Sequence, residues 1–132
     1  MLRPQYLTKE RFMKKQLALV KAFHEKFHVL ISEKPSLIPK DRSDLRYMLI
    51  KDEVEEYQEG VQDGDLENIA KELADILYST YGTIIEHGLQ DKMEAIFEEV
   101  HRSNMSKDYN QYKMVKGENY FKADLSRFFE EG

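Results

Sequence analysis

Long stretches of helical periodicity, separated by short polar breaks, organise this chain. In the first stretch apolar residues recur every three or four positions, which predicts a helix from Thr8, as N-cap, to about Phe27 or His28. One mostly apolar stripe of this helix contains Phe12, Gln16, Leu19, Phe23 and Phe27. The next segment, 33–42, contains two prolines and is predicted to be a loop.

Three further helices follow from the same pattern. They are predicted from about Ser43 or Asp44 to Gln62, from Asp65 to His87, and from Asp91 to about Asn104. Asp63-Gly64 and Gly88 are the breaks between them. The remaining residues lack sustained periodicity and form a C-terminal tail. The sequence therefore predicts a single all-α domain over residues 1–132, built as a four-helix bundle with a tail.

Two glutamates of the second helix lie in an unexpected phase. On a helical wheel Glu53 and Glu56 fall within about 80° of Leu45 and Leu49, so they continue an inward-facing stripe. A separate apolar stripe of the same helix contains Ile50, Val54, Tyr57 and Val61. A helix with two apolar faces needs two partners, which predicts a dimer or a dimer of dimers.

The third helix carries a second carboxylate pair in apolar surroundings. Asp75 is the single charge among the thirteen residues from Leu73 to Ile85, and Glu72 lies on the same narrow strip. A carboxylate in such a place is costly unless a cation or hydrogen bonds compensate it. The alternative is that Asp75 is a solvated or capped acid.

Together the two pairs predict a metal site. Two i,i+3 carboxylate pairs on adjacent antiparallel helices can surround one volume, and four clustered carboxylates repel unless cations neutralise them. Oxygen ligands without thiolate favour a hard ion, Mg²⁺ with Mn²⁺ as a second possibility. The predicted ligands are Glu53, Glu56, Glu72 and Asp75.

Composition supports the same picture. The net charge of −5 combines nine basic and three acidic residues in 1–40 with five basic and seventeen acidic residues in 41–100. Such an acidic centre with basic flanks suits a cation site whose anionic ligand the flanks hold, although a solvated acidic surface would have the same charge. The absence of cysteine excludes disulfides and thiolate metal sites, and without a signal peptide or a membrane-span pattern we expect a cytoplasmic protein.

At these carboxylates the chain resembles the MazG-like, all-α nucleoside triphosphate pyrophosphohydrolase superfamily, relatives of phosphoribosyl-ATP pyrophosphohydrolase and dimeric dUTPases. The signature Glu-x-x-Glu, spacer, Glu-x-x-Asp reads here as Glu53 to Glu56, fifteen residues, then Glu72 to Asp75. The phrases LIKDEVEEYQEG, KELADILYSTYG, FHEKF, EVHRSNMSK and KGENYFKADL are also similar to those of the family or of one subgroup. The resemblance thus covers most of the chain.

The resemblance implies an activity and a set of roles. It implies Mg²⁺-dependent cleavage of a (deoxy)nucleoside triphosphate, or of a phosphoribosyl-ATP-like nucleotide, between the α and β phosphates. By this resemblance the four carboxylates are the metal ligands, and Asn104 and Lys107 are candidate substrate contacts. Asp52 stands where the subgroup often has glutamate, and Ala123 where proline is common. We expect Asp52 or Glu53 to act as the base.

Several candidate residues have structural alternatives. Lys107 and Lys116 are candidate phosphate contacts, since Lys binds phosphate as a point charge, but surface lysines are common. Arg46 can reach a phosphate or pair with an acid, and Asn104 can instead cap the fourth helix. Three tyrosines, Tyr109, Tyr112 and Tyr120, can stack on a base or pack the tail.

Two other functions need to be weighed. Glu25-x-x-His28 and Glu98-x-x-His101 match the ligand spacing of ferritin-like di-iron bundles, but both pairs point outward by helical phase, whereas di-iron ligands face the core. A non-enzymatic acidic helical module, acting in interaction or regulation, is the remaining alternative. We expect a nucleotide as the partner, with no nucleic-acid polymer and no membrane, and a homodimer or homotetramer as the assembly.

Overall fold

The fold is all-α, as predicted. The computed structural model describes residues 9–130, with side chains from Met13 onward. Within this range the helices are α1 (Lys9–Phe27), α2 (Lys40–Gln62), α3 (Leu66–Glu86) and α4 (Met93–Met105). The predicted N-cap Thr8 and the side chain of Phe12 lie outside the described part. No helix of the described range is both long and apolar enough to cross a membrane.

The predicted start of α2 was wrong by about a turn. The helix begins at Lys40, so the predicted loop 33–42 ends earlier than the sequence indicated. Pro39 is the N-cap, with φ −55° and ψ 151°, and its carbonyl accepts hydrogen bonds from the amides of Arg42 (3.0 Å) and Ser43 (3.0 Å). Proline has its φ already fixed near the helical value, so it begins the helix instead of interrupting it.

The chain divides into two compact units, of which the first extends to Gln90. Here α2 packs along α3, and α1 packs against α3. The turn between α2 and α3 is short: Gly64 has φ 65°, and Asp65 caps α3 by accepting a hydrogen bond from the Asn68 amide at 3.1 Å. A turn this short makes the two helices antiparallel neighbours.

A second connection fixes the other end of α3. The segment after α1 runs beside this end, where the Ser32 amide donates to the Ile85 carbonyl (3.2 Å) and the Ser36 amide donates to the His87 carbonyl (2.8 Å). The Gln90 side chain also donates to the Ser32 carbonyl at 3.0 Å. The buried apolar residues of this unit are Leu17, Val20, Ile84 and Ile85.

The second unit begins at Asp91 and contains α4 and the C-terminal segment. The segment predicted as an irregular tail contains a short antiparallel hairpin, β1 (Asp108–Tyr109) with β2 (Met114–Val115), and a 3₁₀ turn at Ser126–Phe128. Glu99 of α4 is 3% exposed and accepts hydrogen bonds from Arg102 (2.9 Å) and from the Asp124 amide (2.9 Å). This buried carboxylate ties the C-terminal segment to α4. The prediction of one domain over residues 1–132 stays a prediction.

Candidate metal centre

Three of the four predicted ligands converge in the structure. Glu53 and Glu56 project from α2 and Glu72 from α3, and one carboxylate oxygen of each lies within 4.8 Å of the others. The i,i+3 spacing places the two α2 glutamates on one side of the helix, and the antiparallel α2–α3 pair brings Glu72 opposite them. The shared helical phase of Glu53 and Glu56 therefore assembles the cluster, but the prediction that both face inward was wrong for Glu56, which is exposed.

Two buried carboxylate oxygens of the cluster lack a hydrogen-bond partner among the described residues. Glu72 is 4% exposed and Glu53 is half-buried, yet the Oε2 atom of each is buried without a hydrogen-bond partner in the described protein. A buried carboxylate oxygen without a partner is destabilising unless a cation or a proton meets it. An all-oxygen donor set with open oxygens fits a hard divalent cation such as Mg²⁺.

The close approach of these carboxylates shifts their pKa values. Burial, together with hydrogen bonding to Glu72 and the negative charges of Asp75 and Glu56, raises the pKa of Glu53 to about 7. Hydrogen bonding to Glu72 and repulsion by its charge also raise the pKa of Glu56. Burial by itself would raise the pKa of Glu72, but hydrogen bonds from Glu56 and Lys71 outweigh it and lower that pKa. Without a metal, the site therefore retains a proton near neutral pH.

Asp75, the fourth predicted ligand, has a different partner. Its Oδ2 lies 2.8 Å from the ammonium group of Lys71, which also donates to Oε1 of Glu72 at 3.2 Å. Hydrogen bonding to Asp75 and Glu72 raises the pKa of Lys71. This ion pair, with the Asp75 side chain 36% exposed, is compatible with the alternative in which Asp75 is a solvated acid. The ligand role of Asp75 remains a prediction.

Arg46 lies in a buried network. It is 7% exposed, and its guanidinium donates to the Ser79 carbonyl (2.8 Å), the Thr83 hydroxyl (3.1 Å) and Oε2 of Glu86 (3.0 Å). Glu86 is fully buried and also accepts two hydrogen bonds from Arg42, at 2.9 and 2.7 Å. Arg46 thus pairs with an acid, the alternative considered from the sequence. A phosphate contact would have to compete with these bonds.

Sequence reasoning missed the partners of this network. A Cβ on Gly82 of α3 would collide with Nη2 of Arg46 and lie 3.0 Å from Nε2 of His24, so glycine lets both side chains approach the α3 backbone. His24 is 2% exposed, and its Nδ1 lies 3.0 Å from the Leu30 carbonyl. A small residue inside an apolar helix was the available signal for this close packing.

The other predicted site residues are more accessible. Asp52 is exposed on α2, immediately before Glu53. Asn104, Lys107 and Lys116 belong to the second unit, where the Lys107 amide donates to the Asn104 carbonyl at 3.1 Å. The Lys116 ammonium lies 5.4 Å from the centre of the Tyr120 ring. Their substrate roles remain predictions.

The rival di-iron ligands do not form a core site among the described residues. Glu25 and His28 are exposed, and so are Glu98 and His101. Their exposure agrees with the outward phase that the sequence indicated. The cluster of Glu53, Glu56 and Glu72 therefore remains the candidate metal centre.

An apolar groove of about 370 Å³ lies between α1 and α3. Its lining consists of Met13, Gln16, Leu19, Val20, Ala74, Leu77, Tyr78 and Tyr81. Leu19 (59% exposed) and Leu77 (55% exposed) are large apolar side chains at its surface. Among the described residues of this unit, the groove is therefore an exposed apolar surface formed in part by α3, the helix that carries Glu72 and Asp75.

Comparison with known proteins agrees with this geometry. No curated protein matches the chain significantly. The sequence profile of the phosphoribosyl-ATP pyrophosphohydrolase family matches residues 20–104, a range that contains the whole carboxylate cluster and well over half of the 132 residues. Membership of this family implies a nucleotide pyrophosphohydrolase, and the convergence of Glu53, Glu56 and Glu72 gives it a site that can bind a metal. The chain belongs to the phosphoribosyl-ATP pyrophosphohydrolase family.

Proposed function

We propose that the protein is a Mg²⁺-dependent pyrophosphohydrolase that cleaves a nucleotide between its α and β phosphates. The substrate is a (deoxy)nucleoside triphosphate or a phosphoribosyl-ATP-like nucleotide, and the products are a monophosphate and pyrophosphate. The observation that carries the proposal is the convergence of three carboxylates from two helices within 4.8 Å, with buried oxygens left without partners. Family membership supplies the reaction class.

The chain's carboxylates fit the metal that this reaction needs. Glu53, Glu56 and Glu72 would hold the ion, and Asp75 would join them once Lys71 moves away. Bound Mg²⁺ neutralises charge on phosphate oxygens during phosphoryl transfer. Mn²⁺ has the same preference for oxygen ligands and would serve as a substitute and as a probe.

The protein's own groups would complete the reaction. Asp52 is exposed on α2 immediately before Glu53 and is a candidate to accept the proton of the attacking water, with Glu53 as the second candidate. Lys107, Lys116 and Asn104 are proposed substrate contacts, and the two lysines would bind phosphates as point charges. Arg46 is the weakest of the proposed contacts, since its guanidinium is already bound to Glu86 and to α3.

The assembly we propose is a homodimer or homotetramer. Exposed apolar side chains occur on α2 and α3, among them Val54, Val61, Leu66, Leu73 and Leu77. Contiguous exposed apolar surface marks an interaction face more often than a solvated one. Light scattering at micromolar concentration tests this assembly, and a monomer would contradict it.

Product analysis is the direct test of the function. With Mg²⁺ and a panel of nucleotides, chromatography should detect pyrophosphate and the monophosphate, with no diphosphate or orthophosphate. Glu56→Gln should abolish turnover, whereas Glu55→Gln, which removes a charge from an exposed position of the same helix, should retain it.

Other outcomes would contradict the proposal. A diphosphate product would place the attack at the terminal phosphate. No turnover on any nucleotide, together with stability that is insensitive to Mg²⁺, would favour the non-enzymatic helical module.

A further inference from the structure

Lys71 holds a position that no assigned role explains. Its ammonium group lies 2.8 Å from Oδ2 of Asp75 and 3.2 Å from Oε1 of Glu72, and so contacts both α3 carboxylates of the signature. Among the side chains that the structure describes, no other basic group forms an ion pair with Glu53, Glu56, Glu72 or Asp75. The Lys71 ammonium group therefore supplies positive charge to carboxylates that a bound metal ion would otherwise neutralise.

The two ends of this contact differ in exposure. The Lys71 side chain is 65% exposed, whereas those of Asp75 and Glu72 are 36% and 5% exposed. Rotation of the flexible lysine stem can carry the ammonium group into solvent without disturbing the packed helices. The carboxylates remain in place, so their release requires only this side-chain movement.

We propose that Lys71 is an internal counter-cation of the carboxylate site that becomes a phosphate contact when a divalent ion enters. This inference rests on the proposed function. In the metal-free protein the ammonium group partly neutralises Asp75 and Glu72. An entering ion competes with it for the same oxygens and displaces it.

Displacement leaves a positive charge where the substrate needs one. Lys71 belongs to the same helix as Glu72 and Asp75 and contacts both, so its displaced ammonium group stays within a side chain's length of them. A phosphate chain bound to an ion at these carboxylates would lie within reach of that group. Lysine binds phosphate as a mobile point charge and needs no fixed geometry.

The proposal predicts effects of opposite sign on the two ligands. In Lys71→Gln, Mn²⁺ alone should bind about threefold to tenfold more tightly, because the ion no longer competes with a tethered cation. The same variant should show a KM for the nucleotide raised by about threefold to tenfold, with kcat little changed, because uniform binding of the phosphates is lost. If Lys71 served only to stabilise the helix, its replacement would not tighten metal binding and weaken nucleotide binding at the same time.

The experiment measures Mn²⁺ affinity by calorimetry at low ionic strength, and steady-state kinetics with saturating metal. Lys51→Gln is the matched control, since it removes the same charge from an exposed position two residues from Glu53 and should change neither quantity appreciably. Lys71→Arg should restore most of the nucleotide affinity, because the charge is retained.

The outcomes separate the two proposals. Wild-type protein that binds no Mn²⁺ would refute the proposed function, and this inference with it. Normal Mn²⁺ binding by the wild type with equal or weaker binding by Lys71→Gln would overturn the role of Lys71 as counter-cation. Tighter Mn²⁺ binding with an unaltered KM would overturn its role as a phosphate contact.

Discussion

The proton held by Glu53 should make the metal-free protein less stable as the pH rises. In the unfolded chain Glu53 titrates near 4.5, whereas in the folded protein its pKa is about 7. Below pH 4.5 both states hold the proton. Between pH 4.5 and about 7 the unfolded chain releases it while the folded protein retains it, so stability falls through this window. A pKa difference of one unit between the folded and unfolded states changes the free energy of unfolding by ~1.4 kcal/mol. The total loss of stability over this window would be about 3 kcal/mol for a fully desolvated group, and we expect ~2 kcal/mol for the partly exposed Glu53.

Urea unfolding of the metal-free protein between pH 4.5 and 8 measures this effect. Glu53→Gln cannot ionise at this position, so its free energy of unfolding should decline less, by ~2 kcal/mol, over the same window. Glu55→Gln, an exposed change on the same helix, should follow the wild type. A saturating concentration of Mn²⁺ should stabilise the wild type more at pH 8 than at pH 5, because the metal binds the ionised carboxylate.

If the free energy of unfolding depended on pH in the same way in the wild type and in Glu53→Gln, this reasoning would be refuted. Such a result would mean that Glu53 ionises in the folded protein as it does in the unfolded chain. A stability that rises from pH 4.5 to 7 in the wild type alone would give the opposite sign and would refute it as well.

Two further predictions concern packing and the second unit. Gly82→Ala gains up to ~1 kcal/mol of helix propensity but forces the buried Arg46 side chain aside, so urea unfolding should show a net loss of ~2 kcal/mol. Gly60→Ala, whose Cβ would lie 3.1 Å from its nearest neighbour, should cost clearly less, and equal costs would contradict the argument. Hydrogen bonding from Arg102 and from the Asp124 amide lowers the pKa of Glu99 to about 2, so wild-type stability should fall as the pH drops from 4.5 towards 2. Circular dichroism should show that the stability of Glu99→Gln falls less than that of the wild type over this pH range. Equal losses in the two proteins would contradict the role of this carboxylate.

Local signals were sufficient for most of the helices. The third helix was predicted from Asp65 and begins at Leu66, where the Asp65 side chain caps it, as is common for aspartate. The predicted end of α2 at Gln62 is confirmed, because the Asp63-Gly64 pair supplies the turn. The start of α2 was misplaced because Pro39 was counted as part of a loop, although proline is also favourable at helix starts.

The hairpin in the C-terminal segment could not be predicted from periodicity. Its strands have two residues each, which is too short for an alternating pattern to appear. The turn depends on Asn110, whose side chain accepts hydrogen bonds from the amides of Tyr112 and Lys113, and on Gln111 with φ 82°. Asparagine is a turn residue, but glutamine with positive φ is uncommon, and this weakened the signal.

At the candidate site, the helical phase of the glutamates could be predicted from the sequence, whereas their partners could not. The shared phase of Glu53 and Glu56 followed from their alignment with the stripe of Leu45 and Leu49, but only Glu53 is partly buried, and Glu56 is exposed. By contrast, the Arg42–Glu86 pair joins residues 44 positions apart, and helical phase on one element does not identify a partner on another. Lys71 was missed because an i,i+4 pair with Asp75 looks like an ordinary surface ion pair in the sequence.

The short turn between α2 and α3 determines how the chain can tolerate changes in length. One residue inserted between Gln62 and Leu66 that extends either helix would shift α3 by ~1.5 Å along its axis and rotate it by ~100° relative to α2. Glu72 would then turn away from Glu53, and Glu86 would lose Arg46 at the same time, because both pairs depend on one register. Insertions at residues 63–65 are therefore expected to be far more damaging than insertions in the exposed part of the C-terminal hairpin turn near Tyr112, which is 93% exposed.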